Sequence, residues 1–377
     1  MIRVLVVCML VCSVFRAAAQ GPRKAFIPRT IDWGYRIIEG DSAHPRKRLI
    51  FPFPIISYKP ETRWILGISV THIFRLQKDS FTRPSLVRLN LAYSQNHQAS
   101  VRPMFDIFTK ENKYNIKGAY MYTNFGEYFW GLGVNAPESD KEMYSFRLHR
   151  ANVKAARLIG RNFYLGAQLN LEQMYHMSYA TGGLLDTGNI TGSRGSFSFG
   201  PGLTCYYDSR NNIYFPTAGS FVEVSNVFYS SVAGSNYNFT NLTMEGKKFI
   251  RLWNENVLAL HGYLNINAGE IPFRMLGTLG SESYMRGYYN GRYRDNHAVA
   301  VQAELRKQIW GPVGMVAFIG GGTVSHKVGN MYQDIRPTYG LGLRVKAIPS
   351  EKINARFDYG FGPDGKGAMY IGLNEAF

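Results

Sequence analysis

What most narrows the fold of this chain is an apolar alternation of period two, repeated along its length and carried to the last residue. From Met369 to Phe377, apolar side chains fall at Met369, Ile371, Leu373 and Phe377. Small or polar ones fall at Gly372, Asn374 and Ala376, and Glu375 is the one break. Successive strand residues point to opposite faces, so one face meets an apolar surrounding and the other a wet one. Val257 to Asn267 sets Leu258, Leu260, Gly262, Leu264 and Ile266 against His261, Asn265 and Asn267. Ala298 to Gln308 sets Val299, Val301, Ala303 and Leu305 against Gln302, Glu304, Arg306 and Gln308. Ile353 to Phe361 sets Ile353, Ala355, Phe357, Tyr359 and Phe361 against Asn354, Arg356 and Asp358. Most such segments run about 10 residues, the length of a tilted strand crossing a bilayer.

Counting back from Phe377 gives about 16 strands, an even number as bacterial barrels require. They centre on Ile68, Leu89, Phe105, Gly118, Gly131, Leu148, Ala167, Gly202, Val224, Met244, Tyr263, Ala303, Ala317, Gly342, Phe357 and Gly372. The alternation is broken around Gly131 and Met244. The expected fold is all-β: a transmembrane antiparallel β-barrel over residues 63–377. No segment past the N-terminus approaches the roughly 18 consecutive apolar residues of a membrane helix. Composition agrees, with 25 Tyr, 24 Phe and 39 Gly to serve short strands and turns. In an even barrel both termini lie on the periplasmic side. Ser178 to Arg194, Gly269 to Asn296 and Ser325 to Pro337 are then extracellular loops. Asn254-Glu255-Asn256, Gly311-Pro312 and Pro349-Ser350 are periplasmic turns, with Asp208 to Gly219 a longer turn on the same side.

The N-terminus reads as a secretory signal peptide over residues 1–19. Arg3 is its positive region, Val4 to Phe15 its apolar core and Ala17-Ala18-Ala19 its cleavage site. Its removal takes away Arg3 and Arg16 and no acid, lowering the formal charge from +17 to +15. Cys8 and Cys12 leave with it, and the remaining Cys205 alternates with Leu203 and Tyr207 on the lipid side. Residues 20–62 read as a short basic periplasmic segment, including Pro45-Arg46-Lys47-Arg48 and Phe51-Pro52-Phe53-Pro54. Such a segment is either a solvated linker or a tail tucked into the barrel mouth.

Chemistry-bearing motifs are absent. There is no G-x-S-x-G, H-E-x-x-H or C-x-x-C, and the histidines are scattered over separate strands and loops. We expect no enzymatic activity, no cofactor and no metal. Nucleic acid is an unsuitable partner for a secreted barrel. The positive charge falls instead on the lumen face, at Arg88, Arg102, Arg306, Arg344, Lys346 and Arg356, and at rims that meet lipid phosphates.

Three motifs in order carry a family resemblance over roughly Pro54 to Phe377. The first is Leu276-Gly277-Thr278-Leu279-Gly280-Ser281-Glu282-Ser283-Tyr284-Met285-Arg286-Gly287-Tyr288, a Gly-rich lead-in to Arg-Gly-Tyr. The second is the turn Asp208-Ser209-Arg210-Asn211-Asn212 with Phe215-Pro216-Thr217-Ala218-Gly219. The third is the terminal Phe377, which resembles the sorting signal read by the barrel-insertion machinery. Together they resemble the BamA/TamA family, the bacterial surface antigen superfamily, in a short form lacking periplasmic repeat domains. The resemblance implies a bacterial outer-membrane barrel whose extracellular loop folds inward and brings Arg286, Gly287 and Tyr288 into the lumen. Asp208, Arg210, Pro216 and Gly219 form the periplasmic turn motif, and Phe377 acts in assembly.

A guanidinium inside a narrow lumen needs a carboxylate, and Glu304 and Asp358 are the inward-facing candidates. The chain departs from the family at Phe318-Ile319-Gly320-Gly321-Gly322, where Gly320 stands at a position often acidic. The implied role is outer-membrane biogenesis, inserting or moving protein or lipid through a weak barrel seam loosened by Gly360, Gly362 and Gly372. The partners implied are outer-membrane lipid, the insertion machinery during assembly, and a client or subunit that the sequence leaves open. An outer-membrane pore or anion channel, or a structural subunit of a larger complex, are the alternatives.

Overall fold

The computed structural model describes residues 40, 41, 44, 45, 49–59, 61–77, 81–253, 256–348, 352–362 and 367–377. The expected signal peptide, most of the expected basic segment and the turns at 254–255 and 349–350 lie outside the described residues. Sixteen strands form one antiparallel sheet in chain order. The first eight are β1 (Leu49–Lys59), β2 (Arg63–Phe74), β3 (Ser85–Ser94), β4 (Ala99–Phe108), β5 (Tyr114–Phe129), β6 (Glu142–Gly160), β7 (Phe163–Tyr179) and β8 (Ser196–Asp208). The rest are β9 (Gly219–Tyr229), β10 (Phe239–Arg251), β11 (Val257–Gly269), β12 (His297–Trp310), β13 (Val313–Ser325), β14 (Arg336–Ile348), β15 (Ile353–Phe361) and β16 (Gly367–Leu373).

The count matches expectation, but two of its members differ. No strand centres on Gly131: Tyr114–Phe129 is one strand of 16 residues, and Gly131 follows it with φ of +90°. β5, β6 and β7 run 16, 19 and 17 residues, so a ten-residue template cuts β5 in two. The missing strand is β1, which pairs with β2 from Leu49↔Ile73 to Lys59↔Arg63. Its Phe-Pro-Phe-Pro run reads as linker before the barrel, yet it forms the first strand of the wall. One consequence is topological. The connection 75–84 becomes the second and joins the end that carries the short turns. Arg83 confirms that end, its Nη1 donating to Asp208 Oδ2 at 2.6 Å.

Side-chain parity follows the alternation. Leu203, Val301, Leu305, Ile319 and Leu341 stand exposed on the outer wall, while Gln302, Glu304, Arg306, Arg344 and Asp358 are buried inside. A polar interior behind an apolar outer band is the membrane-barrel arrangement. The lumen is not an open channel at the loop end. Phe129, Tyr144, Phe146, Leu148 and Met174 from the wall pack with Phe273 and Leu276 from the connection 270–296.

Closure is where the sheet is unusual. Among the described residues no ladder joins β16 to β1. Ile353 and Ala355 have the outward parity on β15, yet both are buried. They share one apolar cluster with Phe51 and Phe53 from the inner face of β1, and Ile371 and Leu373 pack against it. At the turn end the closing hairpin is therefore lapped inside β1. Burial of a large apolar side chain contributes about 1.5–3 kcal/mol, against about 0.5–1.5 kcal/mol net for a hydrogen bond. Apolar overlap, not backbone pairing, holds this joint.

The lap corrects the reading of the C-terminus. Met369 is outward and 62% exposed, but Ile371 and Leu373 enter the lapped joint. Asn374 to Phe377 leave the strand, and Phe377 is buried with Phe249, Val257 and Ala259 on the opposite wall. Its ring stacks on His261 at 4.8 Å. Phe377 is thus buried inside the barrel and does not continue the outward apolar face of Met369.

Detergent-solubilised protein is expected to give a β-dominated far-ultraviolet circular dichroism spectrum and a gel mobility that shifts on heating. A largely helical spectrum would contradict this architecture.

Candidate functional site

The connection 270–296 carries the Arg-Gly-Tyr motif. It begins and ends in a small hairpin, Gly277–Leu279 against Tyr293–Asp295. Between these arms the chain descends into the lumen. Tyr284 stacks on Tyr263 of β11 at 4.4 Å. Met285 is fully buried with φ of +55°, a left-handed backbone that non-glycine residues adopt at a cost. Arg286 follows and is 0% exposed.

The guanidinium of Arg286 is held on three sides. Nη2 donates to Glu304 Oε2 at 2.6 Å, and Nη1 donates to Asp358 Oδ2 at 2.5 Å. Its face lies 3.6 Å from the centre of the Phe318 ring. Its carbonyl accepts from Thr338 Oγ1. The carboxylates come from β12 and β15, and the aromatic platform from β13. At Gly320, two residues beyond Phe318, there is no acid to offer. Gln302, its cross-strand neighbour, uses the space and donates from Nε2 to Ser283 O of the loop.

Gly287 is required twice over. Its φ is +109°, and a Cβ there would lie 2.7 Å from the backbone of Phe361. Gly360 is the matching notch, since a Cβ on it would meet the Arg286 and Gly287 backbone at 2.7 Å. Gly360 therefore receives the loop, a different use from loosening the seam. Gly362 lies against the Tyr288 ring and Gly372 beside Arg356, so both also face inward contacts. Gly287 N donates to Tyr370 Oη at 3.0 Å, Tyr370 Oη donates to Tyr288 O at 3.2 Å, and Tyr288 Oη donates to Pro337 O at 2.5 Å. Through Tyr370 the loop grips β16 directly.

The charge network continues to the other two motifs. Arg306 Nε donates to Glu304 Oε1 at 2.8 Å, Nη2 to Phe377 O at 3.0 Å and Nη1 to Pro216 O at 3.4 Å. One side chain thus joins the loop's carboxylate, the C-terminal residue and the turn motif. Arg344 bridges Asp358 to Glu375, with Nε 2.7 Å from Glu375 Oε2. The side chains of Arg286, Arg306, Arg344, Glu304, Asp358 and Glu375 are at most 4% exposed. Arg356, also 4% exposed, lies 3.9 Å from Asp358 and 3.2 Å from Glu282, so four arginines meet four carboxylates, which is what permits so many charges inside.

In the turn motif, Asp208 accepts from Arg210 Nε at 2.9 Å and Nη2 at 2.8 Å. Gly219 has φ of +102°, and a Cβ on it would strike Ser209 O at 2.3 Å.

Sequence reasoning overlooked Arg83, Tyr370 and Glu375. Only Glu375 left a signal, as the single break in the terminal alternation. It breaks the pattern because the strand has ended and the side chain turns to Arg344.

Removing one partner of a buried pair leaves an uncompensated charge and costs about 3–5 kcal/mol. Arg286→Ala is expected to lower stability by that order in a denaturation measurement on folded protein. In a Glu304→Ala/Asp358→Ala background the same substitution should cost little more. An equal cost with both acids gone would show that something else holds the loop.

Comparisons with known proteins agree with this geometry. The Omp85 superfamily domain matches residues 74–377. The fold is similar to BamA from Haemophilus ducreyi lacking POTRA domains 1–3, with a TM-score of 0.56 and 17% identity over 88% of this chain and 70% of that one. It is also similar to CdiB from Acinetobacter baumannii, with a TM-score of 0.54 and 12% identity over 87% of this chain and 60% of that one. No curated protein matches. With the domain spanning nearly the whole barrel, the chain belongs to the Omp85 superfamily and is an outer-membrane β-barrel.

Proposed function

We propose that this protein acts in outer-membrane biogenesis, inserting or passing protein or lipid through the seam between β1 and β16, without enzymatic chemistry. The observation that carries the reading is the seam. β1 pairs with β2 without a register shift although it contains Pro52 and Pro54. A proline in such a ladder must turn its nitrogen away from its partner. Pro52 and Pro54 therefore face the free edge, which offers carbonyls there but no N–H. Among the described residues β16 spans seven against eleven in β1. An edge so deprived of donors resists sealing, and its open carbonyls suit an extended client segment adding as a strand.

The barrel is oriented, on this reading, with the turn end and both termini in the periplasm after cleavage of residues 1–19. The lengths support it: 161–162 and 311–312 are tight at one end, while 180–195 and 270–296 are long at the other. Arg286, Gly287 and Tyr288 keep the lumen filled and hold β16 in place. A pore reading is less suited to a lumen packed by its own loop. The partners are outer-membrane lipid and, during assembly, the insertion machinery. Phe377 serves that machinery before folding, since the finished barrel buries it.

Depletion should deplete other outer-membrane proteins or disturb lipid distribution, while purified protein shows little steady conductance. An unchanged envelope with large stable channels would favour the pore. Pro52→Val/Pro54→Val restores two edge donors. It should stabilise the barrel by about 1–3 kcal/mol, at the net worth of two hydrogen bonds, and fail to rescue depletion. Full rescue by this variant would remove the seam from the mechanism.

Deleting Phe377 separates two roles. In cells it should lower the amount assembled, and in refolded protein it should lower thermal stability by removing the Arg306 acceptor and the ring on His261. Normal assembly would discard the signal, and unchanged stability would discard the anchor.

A further inference from the structure

The outer wall has a bare place. On β10, β11 and β13 the outward residues at one level are Gly246, Gly262 and Gly321. The ladders set Gly246 opposite Gly262, Gly262 opposite Val301 of β12, and Val301 opposite Gly321. The missing side chains leave a groove of about 650 Å³, with Val222, Leu260 and Ile319 at its margins.

Barrel packing does not demand Gly246 or Gly262, whereas at Gly321 the Ile335 side chain already covers the wall. A Cβ on Gly246 or Gly262 would meet no atom within 4 Å, and neither has a left-handed backbone. Glycine inside a strand costs about 0.5–1 kcal/mol relative to alanine. Two strand-weakening residues therefore stand side by side where the protein gains nothing internally, and what they create is room outside. The groove is apolar along its length and polar at one end only. There Lys248 Nζ lies 3.2 Å from Ser220 Oγ. Trp253 and Trp310 are exposed nearer the turns, as interfacial aromatics are. Lys248 thus sits just inside the interface, where a lysine extends its ammonium toward headgroups.

We infer that this groove is a phospholipid site. One acyl chain lies over Gly246 and Gly262 and ends against Ile335 at Gly321, and its phosphate takes the Lys248 ammonium and the Ser220 hydroxyl. A peptide is a poorer occupant, because β10 to β13 pair continuously with one another and leave no backbone groups for it. That the lipid comes from the periplasmic leaflet rests on the orientation proposed above. The binding itself does not.

The test uses full-length folded protein extracted from vesicles of phosphatidylethanolamine and phosphatidylglycerol, with retained lipid counted by native mass spectrometry. Wild type should keep a phospholipid adduct that Gly246→Leu/Gly262→Leu loses, both proteins showing heat-shifted gel mobility. Lys248→Gln should bind phosphatidylglycerol about tenfold more weakly, the loss of one charge-assisted contact, and without the salt dependence of wild type. Equal retention by wild type and the filled variant would overturn the site. So would unchanged, salt-insensitive binding by Lys248→Gln, which also serves if the filled variant does not fold. An unchanged envelope on depletion would sink the biogenesis reading and leave this result standing.

Discussion

The buried pairing of Arg286 with Glu304 and Asp358 is the interaction on which the rest depends. It draws a long loop into the lumen, because a guanidinium that deep has nowhere else to place its charge. Once there, it fixes Gly287 against β15 and brings Tyr288 beside β16. It also leaves one oxygen of each carboxylate for a second partner. Glu304 has a second oxygen for Arg306, and Asp358 has one for Arg344. These two arginines then reach the C-terminal tail. Loop, inner wall and tail are one electrostatic unit in which each ion is tolerated because the others are present.

That unit explains how a barrel with a poor seam stays closed. Among the described residues no ladder joins β1 to β16, and Pro52 and Pro54 discourage one. Closure comes instead from the apolar lap around Phe51 and Phe53, and from the tail carried across the lumen to Arg306 and His261. Apolar overlap is non-directional and a tail anchored by a few contacts is local. Both are easier to undo and remake than a continuous ladder of hydrogen bonds, which must break along its whole length.

Much of this was legible in the sequence. Period two revealed the barrel, because burying one face against lipid constrains every second residue. Glu304 and Asp358 could be picked as lumenal because their parity on β12 and β15 is unambiguous. Where alternation met a competing constraint, it misled. β5 overruns the bilayer length, so a ten-residue template places a second strand around Gly131, beyond its true end, and β1 hides behind prolines that only an edge strand admits. Cross-lumen contacts leave no periodic trace. Arg306 could be assigned to the lumen, but nothing in the chain showed that it joins Pro216 to Phe377.

Gly320 shows why position and chemistry must be separated. A motif comparison marks it as a lost acid, which would leave Arg286 under-compensated. In space the loss is absorbed. Two carboxylates from strands on either side of β13 already take both Nη groups of the guanidinium, and Phe318 covers its face. An acid at 320 would add a negative charge to a cluster whose four arginines already meet four carboxylates. With the charges balanced, small Gly320 leaves Gln302 free to reach the loop at Ser283. The loop is thus retained by a different distribution of the same forces.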